Sequence, residues 1–210
     1  MYNRDCNAIA QHACASPDGL VDVIEFTLCS IQSGLSTIKL QRKDIARNGL
    51  DSVYLWGAKR DGLAYTLEHQ EYLWSKLMSI REDGLSDASA IADALLLLMK
   101  VPCLGLVKAA FVAQMLGFDV ACLDSHNLRR KGINLNRVKV GAKLSKELKR
   151  KKVLDYIQLC NDTNDAVQGE SCSEYYWNSW CAYVAGNKAN KLLDTADVVS
   201  KYHYDAIVGV

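Results

Sequence analysis

The chain has 210 residues, half of them apolar, and 25 Lys and Arg against 24 Asp and Glu give a net charge of +1. Such a composition excludes a disordered polymer and supplies apolar surface for one or two compact lobes. No uninterrupted apolar run reaches the roughly 20 residues that span a bilayer, and the start, MYNRDCNAIAQHACASPDG, has polar residues where a signal peptide is apolar. The expectation is a cytoplasmic protein with no membrane partner.

Two prolines, Pro17 and Pro102, leave long stretches free to be helical, and the apolar spacing predicts an all-α fold. Ser16 and Pro17 read as an N-cap and a first helical residue, after which Leu20, Ile24, Thr27, Leu28 and Ile31 recur at helical spacing toward an end near Gly34. Residues 38 to 48 and 64 to 81 are amphipathic in the same sense. Ser86 with Asp87 caps a helix that ends in Ala94 to Met99, a run apolar on every side and therefore central. Pro102 stops it by disfavouring helical geometry in Val101. A turn around Gly105 then leads into a second apolar helix, Val107 to Leu116, closed by Gly117.

Residues 93 to 117 thus predict two helices joined by a tight turn. A glycine turn lets the backbone approach a ligand closely, and the amides that open the second helix favour a phosphate. An ordinary αα-hairpin in a bundle has the same pattern. Next, Asp124 follows the apolar residues Val120 to Leu123. A carboxylate at the end of an interior stretch is either the N-cap of the next helix or a group with chemical work to do.

From Arg129 to Lys152 the chain reads RRKGINLNRVKVGAKLSKELKRKK, in which Glu147 is the single acid. With the whole chain near neutral, the rest must be correspondingly acidic, a polarity that suits one face meeting a polyanion. By itself this is also the composition of a solvated basic helix; placed after the hairpin, it reads as part of one electropositive surface for nucleic acid. Eight cysteines, at 6, 14, 29, 103, 122, 160, 172 and 181, show no repeated short spacing and read as reduced, mostly buried thiols. Cys6, His12 and Cys14 come nearest to a metal cluster, but no Cys-x-x-Cys pair completes one, and no metal is expected.

The order of these elements over residues 93 to 130, with Pro102, Gly105 and the string Asp124-Ser125-His126-Asn127-Leu128-Arg129, resembles the helix-hairpin-helix DNA glycosylases. Their signature is a Leu-Pro-Gly-x-Gly hairpin, an apolar helix, and an aspartate in an Asp-Thr-His-x-x-Arg context. A looser similarity covers residues 20 to 40, where Ser30-Ile31-Gln32 matches a Ser-x-Gln element whose glutamine enters the DNA beside the flipped nucleotide. The resemblance implies a two-lobed helical bundle, with residues 1–20 and 118–210 in one lobe and 21–117 in the other, acting as a monomer on double-stranded DNA.

Carried onto this sequence, the resemblance makes Asp124 the catalytic carboxylate and gives Cys103, Leu104, Gly105, Leu106 and Val107 to a phosphate clamp. It makes Gln32 the wedge, and His126 and Arg129 structural and backbone-contacting residues, with Arg130 and Lys131 beside them. No cofactor is implied beyond a monovalent cation that such a hairpin could hold. Two departures stand out. Val107 occupies the place of the lysine with which bifunctional relatives attack the sugar, and Lys108 lies one residue on, about 100° around a helix. Cys103 replaces the first hairpin glycine. A monofunctional, water-using enzyme is therefore expected, with Lys108 the second candidate for a catalytic role. The four-cysteine iron-sulfur loop of some relatives is absent, since only Cys172 and Cys181 lie in that region. The competing expectations are a phage-type enzyme that modifies a base on the same scaffold, which would place it in a host cytoplasm, and a DNA-binding protein without catalysis. Trp56, Trp74, Tyr175, Tyr176, Trp177 and Trp180 are candidate stacking faces for a base, or core.

Overall fold

A computed structural model describes residues 2–165, 169–186 and 195–209, with side chains from residue 5 onward among these. Helices α1 (Tyr2–Ala15) and α2 (Pro17–Ser30) form the first pair. Ser16 begins α2 as expected: its hydroxyl accepts from the Gly19 amide at 3.1 Å, and Pro17 takes the position where a missing N–H costs nothing. The two helices cross tightly at Gly19, where an added Cβ would lie 2.1 Å from the His12 carbonyl oxygen. Any side chain there would drive them apart. α2 ends at Ser30, earlier than the spacing suggests, and Gln32 adopts a left-handed φ of 55° in the turn that follows.

α3 (Ile38–Asn48) matches its predicted span. The single helix expected over 64 to 81 is instead two, α4 (Gly57–Glu68) and α5 (Gln70–Asp83), broken at His69, whose ring stacks on Tyr65 with centroids 4.2 Å apart. Gly62 of α4 sits so close to the turn at Pro102, two helices further along the chain, that a Cβ would meet the Pro102 carbonyl oxygen at 2.5 Å, while α5 packs Leu73 and Leu77 into the core.

α6 (Ala88–Leu98) is capped by Asp87 alone, whose carboxylate accepts from the Ala90 amide at 2.8 Å. Its apolar surface is covered by α5, α7 (Leu106–Met115) and the long α9 (Lys146–Asp162), which places it centrally. The turn joining α6 to α7 differs from the expected one. Gly105 is extended, at φ −71° and ψ 172°, and the left-handed residue is Cys103, at φ 70°. Leu104 and Leu106 are both inserted in the core on either side, so the turn is held by burial rather than by glycine, at a backbone cost of about 1–2 kcal/mol for a non-glycine residue.

Between α7 and the short α8 (Ser125–Arg130) the chain from Phe118 to Leu123 has no helix or strand and is mostly buried. Its backbone groups have no helical partners and are satisfied by side chains and loops. The Asp119 amide donates to the Leu85 carbonyl at 2.8 Å, and the Asp119 carboxylate accepts from the Ser173 amide at 2.9 Å. Tyr156 of α9 donates to the Ala121 carbonyl at 2.6 Å and accepts from the Leu123 amide at 3.0 Å.

The chain ends in α10 (Cys172–Ala185) and α11 (Ala196–Val208). α11 packs on α1, α2 and α10, and its end is anchored by Arg42, which is 3% exposed. That guanidinium donates to the Ile207 carbonyl at 2.7 Å and pairs with Glu25 at 2.7 Å and with Asp22. No strand occurs among the described residues, and one continuous apolar cluster runs from Cys6 to Ile207. No helix among them is long and apolar enough to cross a membrane.

Candidate functional site

A cavity of about 210 Å³ opens where the ends of α2 and α7, the segment before α8, α10 and α11 converge. Its walls come from two parts of the sequence: Phe26, Ser30, Ser33, Leu35, Ile38, Lys108, Phe111 and Gln114 from the first, and Cys122, Asp124, Asn127, Tyr176, Trp177, Trp180 and His203 from the second. The volume lies below the roughly 300–1,000 Å³ typical of sites for drug-sized ligands, and suits a single small ring system.

Asp124 is brought to this cavity as the N-cap of α8. Its Oδ1 accepts from the amides of His126 at 3.0 Å and Asn127 at 2.9 Å. Oδ2 accepts no hydrogen bond from the described side chains or amides. The two readings of Asp124 are thus compatible, since one oxygen caps the helix and the other is available. The carboxylate is oriented further by Asn127, whose side-chain amide donates to the Cys122 carbonyl at 3.0 Å and fixes the turn on which Asp124 sits.

Lys108 reaches the same cavity from the first turn of α7. Its ammonium donates to the Ser30 hydroxyl at 3.1 Å and lies 5.4 Å from the Phe111 ring centroid. Val107, in the position of the attacking lysine of the resembling family, is half-buried against the core and does not line the cavity.

The remaining predicted residues lie apart from this centre. Gln32 and Gly105 are exposed, and Cys103 is half-buried, with burial raising its thiol pKa while Lys59 and Lys108 oppose the shift. Leu104 and Leu106 are core residues, each 3% exposed, so only their backbone could meet a ligand. Gly105 has no side chain to cap α7, which leaves the first amides of that helix without a side-chain acceptor. His126 is half-buried and stacked on Tyr183, and desolvation lowers its pKa. Arg129 folds back on its own helix, donating to the Ser125 carbonyl at 3.0 Å, and Arg130 is exposed near Tyr175.

Lys131 is paired with Asp165 and lies 5.0 Å from the Tyr175 ring, so it is not a free cation, and its pKa is raised: that pairing and Tyr175 outweigh a desolvation effect acting downward. Arg150 pairs with Asp93 and donates to Ser89, and Lys151 pairs with Asp155 at 3.0 Å. The positive segment is therefore partly neutralised within the fold, leaving exposed cations such as Lys139, Lys143 and Lys146.

Of the candidate stacking rings, Tyr176, Trp177 and Trp180 line the cavity; Trp56, Trp74 and Tyr175 do not. The cavity also holds residues that sequence reasoning missed. His203 is 1% exposed and surrounded by the rings of Trp177 at 4.8 Å, Trp180 at 5.1 Å and Phe26 at 5.4 Å. Its signal is a histidine on the apolar face of the last helix, in register with Val199, Ala206 and Ile207. Gln114 likewise interrupts the apolar run that follows Lys108 in α7 and donates to the Ser173 carbonyl at 2.7 Å.

All eight cysteines are free thiols, and no group of three His, Cys, Asp or Glu among the described residues could hold a metal ion. Compared with family profiles, curated proteins and solved structures, the chain matches none.

Proposed function

We propose that the chain is a glycosylase-like enzyme that holds double-stranded DNA, flips one nucleotide into the cavity and cleaves its N-glycosidic bond with Asp124. The observation that carries this reading is the division of labour at Asp124: one oxygen is committed to two backbone amides, the other is free at a cavity walled by aromatic rings. A base inside a duplex is inaccessible to chemistry, so an enzyme of this kind needs a ring-sized, largely apolar pocket beside a fixed carboxylate.

In this mechanism the bond between C1′ and the base nitrogen breaks with its electron pair leaving on the base, and positive charge grows on the sugar ring. Asp124 stabilises that charge in a water-poor site, where a fixed carboxylate acts far more strongly than in bulk water. A water oxygen then bonds to C1′, its proton passes to Asp124, and the departing base is protonated from solvent. Lys108 is held to Ser30 and serves orientation and charge balance, not attack on the sugar.

The same reading makes the α6–α7 turn a helix-hairpin-helix clamp, with a phosphate at the uncapped amides of α7, and divides the chain into two lobes. The cavity lining supports that division, because it draws on residues 26–114 from one range and 122–203 from the other. Gln32, exposed and in a left-handed turn just past Ser30, is suited to wedge the duplex.

The test is base release from duplex oligonucleotides that each carry one uracil, oxidised, alkylated, mismatched or hydroxymethylated base, followed by alkali cleavage. An abasic site formed by the wild type and not by Asp124→Asn supports excision. DNA that is bound but releases no base overturns it, in favour of base modification or binding alone.

A further inference from the structure

The cavity presents an unusual set of polar atoms. Its polar side chains spend hydrogens on the protein itself: Ser30 donates to the Thr27 carbonyl at 2.6 Å, Gln114 to the Ser173 carbonyl, Asn127 to the Cys122 carbonyl, and the Trp177 indole to Ser200 at 3.1 Å. Acceptor atoms on these and other lining residues remain unused. Two of these, His203 Nε2 and Asn127 Oδ1, are buried and have no hydrogen-bond partner among the described residues.

The tautomer of His203 follows from its other nitrogen. Nδ1 lies 2.8 Å from the Val199 carbonyl oxygen, which can only accept, so Nδ1 carries the hydrogen. Nε2 therefore offers a lone pair, and burial among aromatic rings keeps the imidazole neutral by lowering its pKa to about 4. A buried acceptor left unpaired is costly, and one on a residue that lines a cavity is open to completion by a molecule bound there. The nearby carboxylate of Asp124 and ammonium of Lys108 offset each other, so the cavity has no net demand for a charged ligand.

We infer that the cavity selects a neutral planar heterocycle whose buried edge carries an N–H donor, received by His203 Nε2 with Asn127 Oδ1 as second acceptor. Either an imide ring nitrogen of the uracil type or an exocyclic amine of the cytosine or adenine type supplies this donor. The inference rests on the base-flipping reading for how such a ring arrives, but not for whether the cavity binds it.

Free bases separate the two. Binding is followed through the fluorescence of Trp177 and Trp180, which line the cavity, for three pairs: uracil and 3-methyluracil, cytosine and its N4,N4-dimethyl form, adenine and its N6,N6-dimethyl form. For the favoured pair, removing the N–H weakens binding to the wild type by roughly tenfold or more, the scale of leaving a buried acceptor unpaired. His203→Phe, with its fold checked by thermal unfolding, loses that discrimination, and His203→Gln, which restores a carbonyl acceptor, recovers part of it. Which pair discriminates identifies the donor. Equal binding within every pair, discrimination that survives in His203→Phe, or no binding of any base overturns the inference. Excision failing on every DNA substrate while free bases are still discriminated would count against the glycosylase reading alone.

Discussion

The Lys108 ammonium donates to the Ser30 hydroxyl at 3.1 Å, joining the first turn of α7 to the last turn of α2, 78 residues apart in sequence. Ser30 in turn donates to the Thr27 carbonyl, so the lysine is held through a short chain of bonds that starts on a helix backbone. A lysine that attacks a sugar must lose a proton and swing free; this one is tethered. Borohydride should therefore trap no covalent DNA adduct with the wild type, and Lys108→Met should keep at least about a tenth of the base-release rate, since general positioning effects are modest beside loss of a nucleophile. Trapping, or strand breakage without alkali, would give Lys108 the nucleophile's role.

Asp124→Asn separates the cap from the chemistry. Asparagine is as good an N-cap as aspartate, so its side-chain oxygen can still accept from the His126 and Asn127 amides. Stability should stay within about 1 kcal/mol and DNA affinity should hold, while the single-turnover rate of base release falls by about 10²–10³, the scale of removing a preorganised electrostatic group. Loss of folding with loss of rate would reduce Asp124 to a structural residue.

Tyr156 supports Asp124 from beneath. Its hydroxyl is the partner of both the Ala121 carbonyl and the Leu123 amide in a buried stretch with no helix to satisfy it. Tyr156→Phe leaves both groups without that partner and should cost about 1–3 kcal/mol in denaturant unfolding. A change close to zero would mean that this segment finds other partners.

Local chemistry makes several of these elements legible in the sequence. The Ser16-Pro17 start, the span of α3, the Asp87 cap and the all-apolar end of α6 each follow from nearest neighbours along the chain. The break at His69 does not, because both flanking stretches have helical patterns and no proline or glycine marks the position. The left-handed Cys103 is equally silent, since nothing in its own neighbourhood asks for that conformation; the burial of Leu104 and Leu106 imposes it. At the site, Asp124 is visible as a carboxylate ending an apolar run. His203 arrives from 79 positions downstream and becomes a candidate only through the packing of α11 against α2 and α10.

His203 also makes stability depend on pH. Its folded pKa of about 4 lies below the ordinary value of 6.5 because burial penalises the charged ring. Between those values the unfolded chain binds the extra proton, so stability rises with pH across that window and the contribution is lost as pH falls toward 4. The full difference corresponds to about 3 kcal/mol at 1.36 kcal/mol per unit. Denaturant midpoints measured from pH 7 to pH 4 should decline for the wild type, and less steeply for His203→Phe, which has nothing to titrate. Parallel curves would show that other groups dominate acid unfolding.

The basic segment predicts a graded response to salt. Arg150, Lys151 and Lys131 are each held by a carboxylate, Asp93, Asp155 and Asp165 respectively, whereas Lys139 and Lys143 are exposed and outside these pairs. Only cations that exchange counterions for phosphates contribute to the dependence of binding on ionic strength, about 0.9 in the log–log slope for each phosphate neutralised on duplex DNA. Lys139→Gln and Lys143→Gln should each weaken DNA binding and flatten that slope by about 0.9. Arg150→Gln should leave the slope nearly unchanged, because its charge is already spent on Asp93, and should instead loosen the contact between α9 and α6. Equal slopes for all three variants would remove this segment from the DNA-facing surface and leave the hairpin as the main anchor.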